Sequence, residues 1–237
     1  MEYFSDPFII GLEDDNANLM YQILHEINQG GLPQEFYVFN TGGVGADTNE
    51  EASGDDYKKI PRELTLMLQE ALLREAVRFE YDSTLGSEIA VAVVNPQGGT
   101  VVDLHPDWLP SVIYGEADYT RRIVELRRRR YYSRDAQDKA GILRYTKVTD
   151  NLLDIADIPP PTSERELAWL LSFYWNVDGA YNSLTELVSH RGEGRKPAPQ
   201  TLAAIQEKYA DGLGQGLDLP PESLNALREA GIAGVPK

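Results

Sequence analysis

Apolar positions recur at three- and four-residue intervals along several stretches of the 237-residue chain, separated by short aromatic and β-branched runs and by polar turns. Leu19, Met20, Ile23, Leu24 and Ile27 predict a helix capped by Asn16 or Asn18 and ended by Gly30, Gly31 and Pro33. Leu64, Leu66, Met67, Leu68, Ala71, Leu72 and Val77 predict a second, with Pro61 in its first turn. Residues 116–130 are helical in pattern and close on Arg127, Arg128, Arg129 and Arg130, a placement that suits the negative end of a helix dipole. Beyond residue 162 the pattern is helical: a capping box of Ser163 with Glu166 precedes Leu167, Leu170, Leu171, Tyr174 and Trp175 in a helix expected to break near Gly179. Residues 184–188 belong to its continuation or partner, 190–197 read as loop, and 200–210 and 221–230 predict two short helices around a glycine-rich stretch from Gly212 to Gly216.

Shorter runs read as strands. Residues 6–10 are an extended piece, because the position before Pro7 is pushed to the β region. Phe36, Tyr37, Val38 and Phe39 predict a buried strand running into Asn40, Thr41, Gly42, Gly43, Val44 and Gly45. Residues 79–81 and 89–94 predict two strands joined by a turn containing Gly86, and residues 101–104 re-enter in extended form after a turn at 95–99. Pro106 and Pro110 are expected to prevent regular structure after that. Residues 46–57, polar and acidic, predict a mobile surface loop, and 135–144 a loop or short helix. The consecutive prolines 159–161 suggest a semi-rigid linker over 155–161, dividing an α/β lobe (1–154) from a helical extension (162–237). The chain contains no internal repeat.

Charge and composition narrow the partners. Lys and Arg number 22 against 38 Asp and Glu, a formal charge of −16, which repels nucleic acid and anionic membranes at long range. With no cysteine there are no disulfides, thiolate metal sites or cysteine nucleophile, which fits a reducing cytoplasm. The N-terminal residues lack the pattern of a signal peptide, and no apolar run approaches the roughly 20 residues that span a bilayer. A cytoplasmic protein with no nucleic-acid or membrane partner is expected.

The candidate chemistry gathers around residues 34–73. Gly42, Gly43 and Gly45 lack the Lys-Ser or Lys-Thr of a Walker loop and the spacing of a dinucleotide fingerprint, so a tight turn is their simplest use. Lys58 and Lys59 stand just before a helix start, where two cations and unpaired N–H groups are expected to face one space and receive an anion. His25, His105 and His190 have no ligand spacing, and Glu13, Asp14 and Asp15 lack that of a calcium loop, so no metal site and no catalytic group is assigned. The arginine run reads as a solvated or internally paired face, or else as a phosphate or acidic-partner site; Trp169, Phe173, Tyr174 and Trp175 read as core, or as a packing interface where exposed.

Residues 4–8, then Asn40-Thr41-Gly42, then Lys58-Lys59-Ile60 five residues ahead of Thr65, resemble the C-terminal lobe of the ATP-dependent phosphoenolpyruvate carboxykinases. Asp103-Leu104-His105-Pro106, Tyr114-Gly115 and Tyr119-Thr120 are similar in order to the end of that lobe, so the likeness covers about residues 4–130. It implies a mixed-sheet α/β lobe that binds ATP, with Lys59 against the nucleotide, Ile60 packed on the adenine, Thr65 near base or ribose, and Asn40, Thr41 and Gly42 in support. Two departures weaken the phosphate side: lysine lacks the planar fork of the arginine found in that family, and the loop after Gly43 is longer and acidic. In that family the phosphate loop, the metal-binding Lys, His and Asp and the carboxylate-binding arginine precede this lobe. Their absence here implies a lobe that is not catalytic alone and meets a divalent metal only together with the missing half. The alternative is a non-catalytic interaction or regulatory module, acting on a protein partner or as a homo-oligomer through its helical tail.

Overall fold

The computed structural model describes residues 13–31, 34–132, 141–144, 148–149, 152–153, 155–177, 181–191, 199–209 and 213–232. The extended piece at 6–10, the start of the carboxykinase likeness at 4–8, Pro33, Gly179, Gly212 and the loop 192–197 lie outside them. The chain divides into two compact units, unit 1 from Met1–Gln34 with Leu126–Lys237 and unit 2 from Glu35–Glu125. Both α-helices and small antiparallel sheets are present.

Unit 2 begins with an extended, irregular segment at residues 35–42. Two short strands, β1 (Gly43–Val44) and β2 (Lys58–Lys59), then pair antiparallel around the loop between them. Helix α2 (Arg62–Leu73) follows; the first helix of the chain, α1 (Glu13–Gln29), belongs to unit 1. Strands β3 (Val77–Asp82), β4 (Ser87–Val94) and β5 (Thr100–Asp103) form an antiparallel sheet in that order, with register shifts at Arg78/Phe79 and Val93/Val94. Among the described residues every ladder is antiparallel, so the expected mixed sheet gives way to hairpins joined by tight turns. At the first of these turns Asp82 Oδ1 accepts the Thr84 and Leu85 N–H groups, each at 2.9 Å, and Gly86 takes φ +78°. Val91, Leu104 and Leu109 are the buried centre, with Leu64, Leu68, Ile89 and Trp108 packed around them.

The region around Pro106 and Pro110 departs from expectation. It forms two short helices, α3 (His105–Trp108) and α4 (Pro110–Tyr114), because both prolines fall in a first turn, where the missing N–H is not needed and φ is already set. Helix α2 likewise ends before Val77, which opens β3. Helix α5 (Glu116–Tyr131) begins in unit 2 and ends in unit 1.

Unit 1 is helical: α1, the end of α5, α6 (Glu164–Tyr174), α7 (Leu184–Arg191), α8 (Pro199–Lys208) and α9 (Pro221–Glu229). Helix α1 starts at Glu13, ahead of both asparagines expected to cap it, and the Asn18 side chain instead accepts the Thr149 N–H at 3.0 Å. Ser163 caps α6 by accepting the Glu166 N–H at 3.1 Å, while the Glu166 carboxylate takes the Thr162 N–H at 2.7 Å. The helix stops where Asn176 turns left-handed (φ +50°), a conformation asparagine tolerates better than most residues, and the Val177 N–H returns to the Ser172 carbonyl. The core of this unit is aromatic and leucine-rich. Tyr131, Tyr132, Leu167, Leu170, Leu171, Trp175, Leu184, Leu187, Ile205 and Leu227 are wholly inside, and Trp169, Phe173 and Tyr174 are buried with them, the core reading of that aromatic run.

Electrostatics and backbone chemistry complete unit 1. Glu164, in the first turn of α6, accepts from the Ser223 hydroxyl on α9 and from the Leu184 N–H at the start of α7. Residues 159–161 offer carbonyls but no N–H donors. Tyr132 donates to the Pro159 carbonyl at 3.0 Å, Arg128 to the Pro160 carbonyl at 2.8 Å, and Lys208 to the Ile155 and Ile158 carbonyls. Arg127 pairs with Asp157 and Arg128 with Glu166, so the arginine run supplies an internally paired face.

Candidate functional site

The site is a cavity of about 850 Å³ within unit 2. One wall is the face of α2 carrying Leu64, Thr65, Leu68 and Leu72 at helical spacing, with Ile60 just before it. Val77 and Phe79 of β3 and Glu88, Ile89 and Ala90 of β4 form a second wall, Leu104, Trp108 and Pro110 a third, and the segment 35–40 and Val44 close the rest. A concave, mainly apolar space with a few polar groups has the character and size of a small-molecule site.

The segment at residues 36–39, expected to be a buried strand, is neither: it pairs with no described strand, Phe36 is 65% exposed and Val38 fully so. Its side chains border the cavity, and the Tyr37 ring sits 5.8 Å from that of Phe79. Tyr37 donates to Glu35, and this bond, with the charges of Glu35 and Glu88, pushes the Tyr37 hydroxyl above its usual range.

The glycine turn is built for closure. Asn40 donates to the Gly43 carbonyl at 2.9 Å and accepts the Gly42 N–H at 3.0 Å, while the Gly42 carbonyl accepts the Ile60 N–H at 3.1 Å. A Cβ at Gly43 would run into the Tyr57 ring, and Gly45 combines φ +93° with a close approach to the Asp56 carbonyl. Any other residue at position 45 would strain the backbone and push the returning chain away. These glycines let the two ends of the 45–57 loop meet.

That loop, expected to be mobile, is clamped by one side chain of α5. The Arg122 guanidinium donates to Asp47 (2.7 Å), Glu51 (3.0 Å) and Asp118 (2.7 Å), lies 4.1 Å from the centre of the Tyr114 ring, and is only 15% exposed. A short 3₁₀ turn at Glu51–Ser53 presents the Glu51 carboxylate, which also accepts the Asp47 N–H at 2.7 Å. Two of the acidic side chains read as a sign of mobility, Asp47 and Glu51, are paired with a cation 71 positions away from Glu51. Tyr119 of the same helix donates to Asp82 at 2.7 Å, tying α5 to the β3–β4 turn.

Stability at this clamp depends on pH in a definite direction. The hydrogen bond from Arg122, then that from the Asp47 N–H, holds the Glu51 carboxyl at about 2, below its ordinary 4.5. A carboxyl depressed in the folded state stabilises that state above its unfolded value and loses the contribution as pH falls through the folded one. The loop is therefore expected to open progressively between about pH 4.5 and 2, followed by carboxyl NMR shifts of Glu51 and amide shifts of residues 46–56. Unchanged loop shifts down to the folded value would show that the clamp does not hold the loop.

Of the residues singled out in the sequence, Asn40, Ile60 and Thr65 line the cavity, whereas Lys59, Thr41 and Gly42 do not. Lys58 and Lys59 do not share one space, because successive strand residues point to opposite sides; Lys58 pairs with Asp107 at 2.8 Å. Tyr37, Phe79, Glu88 and Trp108 were missed as site residues, since only the hairpin fold brings them to α2. No protein-family model matches the chain, and neither a curated protein nor a solved structure matches it. Among the described residues no group of three or more His, Cys, Asp or Glu side chains is placed to hold a metal ion, and no helix is long and apolar enough to cross a membrane.

Proposed function

We propose that unit 2 is a nucleotide-binding lobe of the type found at the C-terminal end of ATP-dependent phosphoenolpyruvate carboxykinases, acting in the cytoplasm, and that it performs no phosphoryl transfer by itself. The observation that carries the reading is the cavity itself, into which Asn40, Ile60 and Thr65, three positions assigned by the resemblance, all face as lining residues. Ile60, Phe79 and Trp108 supply apolar surface for a planar base, and the Thr65 hydroxyl and Asn40 amide supply polar groups at its edge. ATP was the expected ligand. The base side fits the lining, while the phosphate side finds no cation among the described lining residues. A divalent metal belongs to this reading only together with the catalytic half that such enzymes carry ahead of this lobe.

Titration calorimetry with ATP and adenosine, with and without Mg²⁺ or Mn²⁺, tests it. Binding is expected, with Thr65→Val weakening it by up to about tenfold through loss of one hydrogen bond. Lys59→Ala is expected to change it by less than about threefold, as for an exposed charge outside the lining. Absence of binding by both ligands would remove the reading.

A second reading, an interaction module, draws on the outer face of α1 and no longer on the aromatic tail, which is buried. Leu19, Met20 and Ile23 of α1 are 53%, 58% and 43% exposed, an apolar stripe at helical spacing. Self-association read by light scattering, and its loss in Met20→Glu, is the expected result; a monomer at all concentrations would dismiss homo-oligomer formation through this face.

A further inference from the structure

We propose that recognition in the unit 2 cavity ends at the nucleoside, so that phosphates add no affinity and adenosine binds at least as tightly as ATP. This rests on the nucleotide-lobe reading and specifies its ligand as the uncharged base and sugar.

Charge placement in the cavity sets this limit. Among the described residues Glu35 and Glu88 are the carboxylates of the lining, and no Lys, Arg or His lines it. Both carboxylates are exposed, and Glu35 already accepts the Tyr37 hydroxyl. The cations closest to the lining residues along the chain, Lys59, Arg62 and Arg78, are not among those residues, and two further cations of unit 2 are held by carboxylates. Lys58 is held by Asp107 at 2.8 Å, Arg122 is shared among Asp47, Glu51 and Asp118, and Lys59 stands on β2 outside the lining. The start of α2 is a poor substitute for a phosphate cradle: its cap is Pro61, which has no N–H, and its first turn carries Glu63, whose charge already complements the helix dipole. The glycine turn has its Gly42 N–H given to Asn40, so it does not present that donor to an anion.

An N–H-bearing base suits the same groups. Two carboxylates accept from an exocyclic amine, and the apolar walls take the ring faces. Each phosphate, by contrast, adds negative charge to a ligand whose described lining is itself acidic, with no charge-assisted bond in return. Repulsion of this kind is screened by salt, which gives the proposal a signature that a phosphate site cannot mimic.

The test is calorimetric titration of the full chain with adenosine, AMP and ATP, without Mg²⁺, at low and at high salt. Expected are equal or weaker affinities as phosphates are added, by up to about threefold per step at low salt, and ATP binding that strengthens as salt rises. In Glu88→Gln the disadvantage of ATP relative to adenosine is expected to shrink, since a carboxylate facing the site is gone. ATP binding about tenfold tighter than adenosine, or weakening as salt is added, would overturn the proposal and leave the nucleotide-lobe reading standing. Binding of none of the three would overturn both. The salt series uses the unaltered protein, so the result does not depend on any variant folding.

Discussion

Trp175→Ala is expected to unfold unit 1 or leave it barely folded, while unit 2 keeps its protection. Trp175 has no exposure, at the end of a helix whose buried face includes Leu167, Leu170, Leu171 and Tyr174. Truncating a buried tryptophan removes about 3–5 kcal/mol through lost transfer energy and a cavity that packed neighbours fill only in part. Whole domains are stable by about 5–15 kcal/mol, so this one change consumes a large share. Because the chain has two units, a single melting curve is ambiguous, and hydrogen exchange read peptide by peptide is the suitable measurement. Amides of α6, α7 and α9 should lose protection and those of β4 should not. Retained protection throughout α6 would mean that the aromatic core does not hold the unit together.

The second large effect is expected from Arg122→Ala. It strips Asp47, Glu51 and Asp118 of their common partner and leaves three carboxylates close to one another. The partners are partly exposed, so water offsets much of the loss and global stability should change little. Local opening is another matter: exchange of the 46–56 amides should rise about tenfold or more, as the loop joins the low-stability end of the molecule. Val44 and Ile60 border both the loop and the cavity, so adenosine binding should weaken in the same variant. Arg122→Lys should restore only part of either property, because an ammonium cannot match a planar fork held by several oxygens. Exchange rates equal to those of the unaltered protein would show that the loop is closed by its glycines alone.

Much of the helical content was legible because it is local. The i, i+3, i+4 spacing placed α2, α5 and α6, and the pairing of Ser163 with Glu166 marked the start of α6 correctly. Strands β3, β4 and β5 were legible from short β-branched runs and the turn residues between them. Residues 36–39 were misread for a reason of principle. Their composition speaks for a strand, but a strand exists only with a partner, and pairing is a property of distant sequence. The same reason hid the Arg122 clamp, whose members span positions 47 to 122. Asn40, Ile60 and Thr65 were named only through the resemblance to the carboxykinase lobe, and they come to line the cavity because they stand at a turn and a helix start. The opposing wall of Phe79, Glu88 and Trp108 could not be named, because its approach is a product of hairpin register. Lysines 58 and 59 were misjudged by treating neighbours in sequence as neighbours on a face, an inference that holds for neither strand nor helix.

The division of the chain has a consequence for the order in which the protein comes into being. Unit 2 is a single continuous stretch, but unit 1 takes residues from both sides of it. On a ribosome, unit 2 is finished while most of unit 1 has yet to be synthesised, and α1 waits for partners such as Thr149, 131 positions after Asn18. Closing so long a loop adds little to the equilibrium cost, which grows only with the logarithm of length, but it slows the search for the final contacts. During that wait Leu24 and Ile27, half-buried in the finished chain, stand uncovered, a natural substrate for a chaperone.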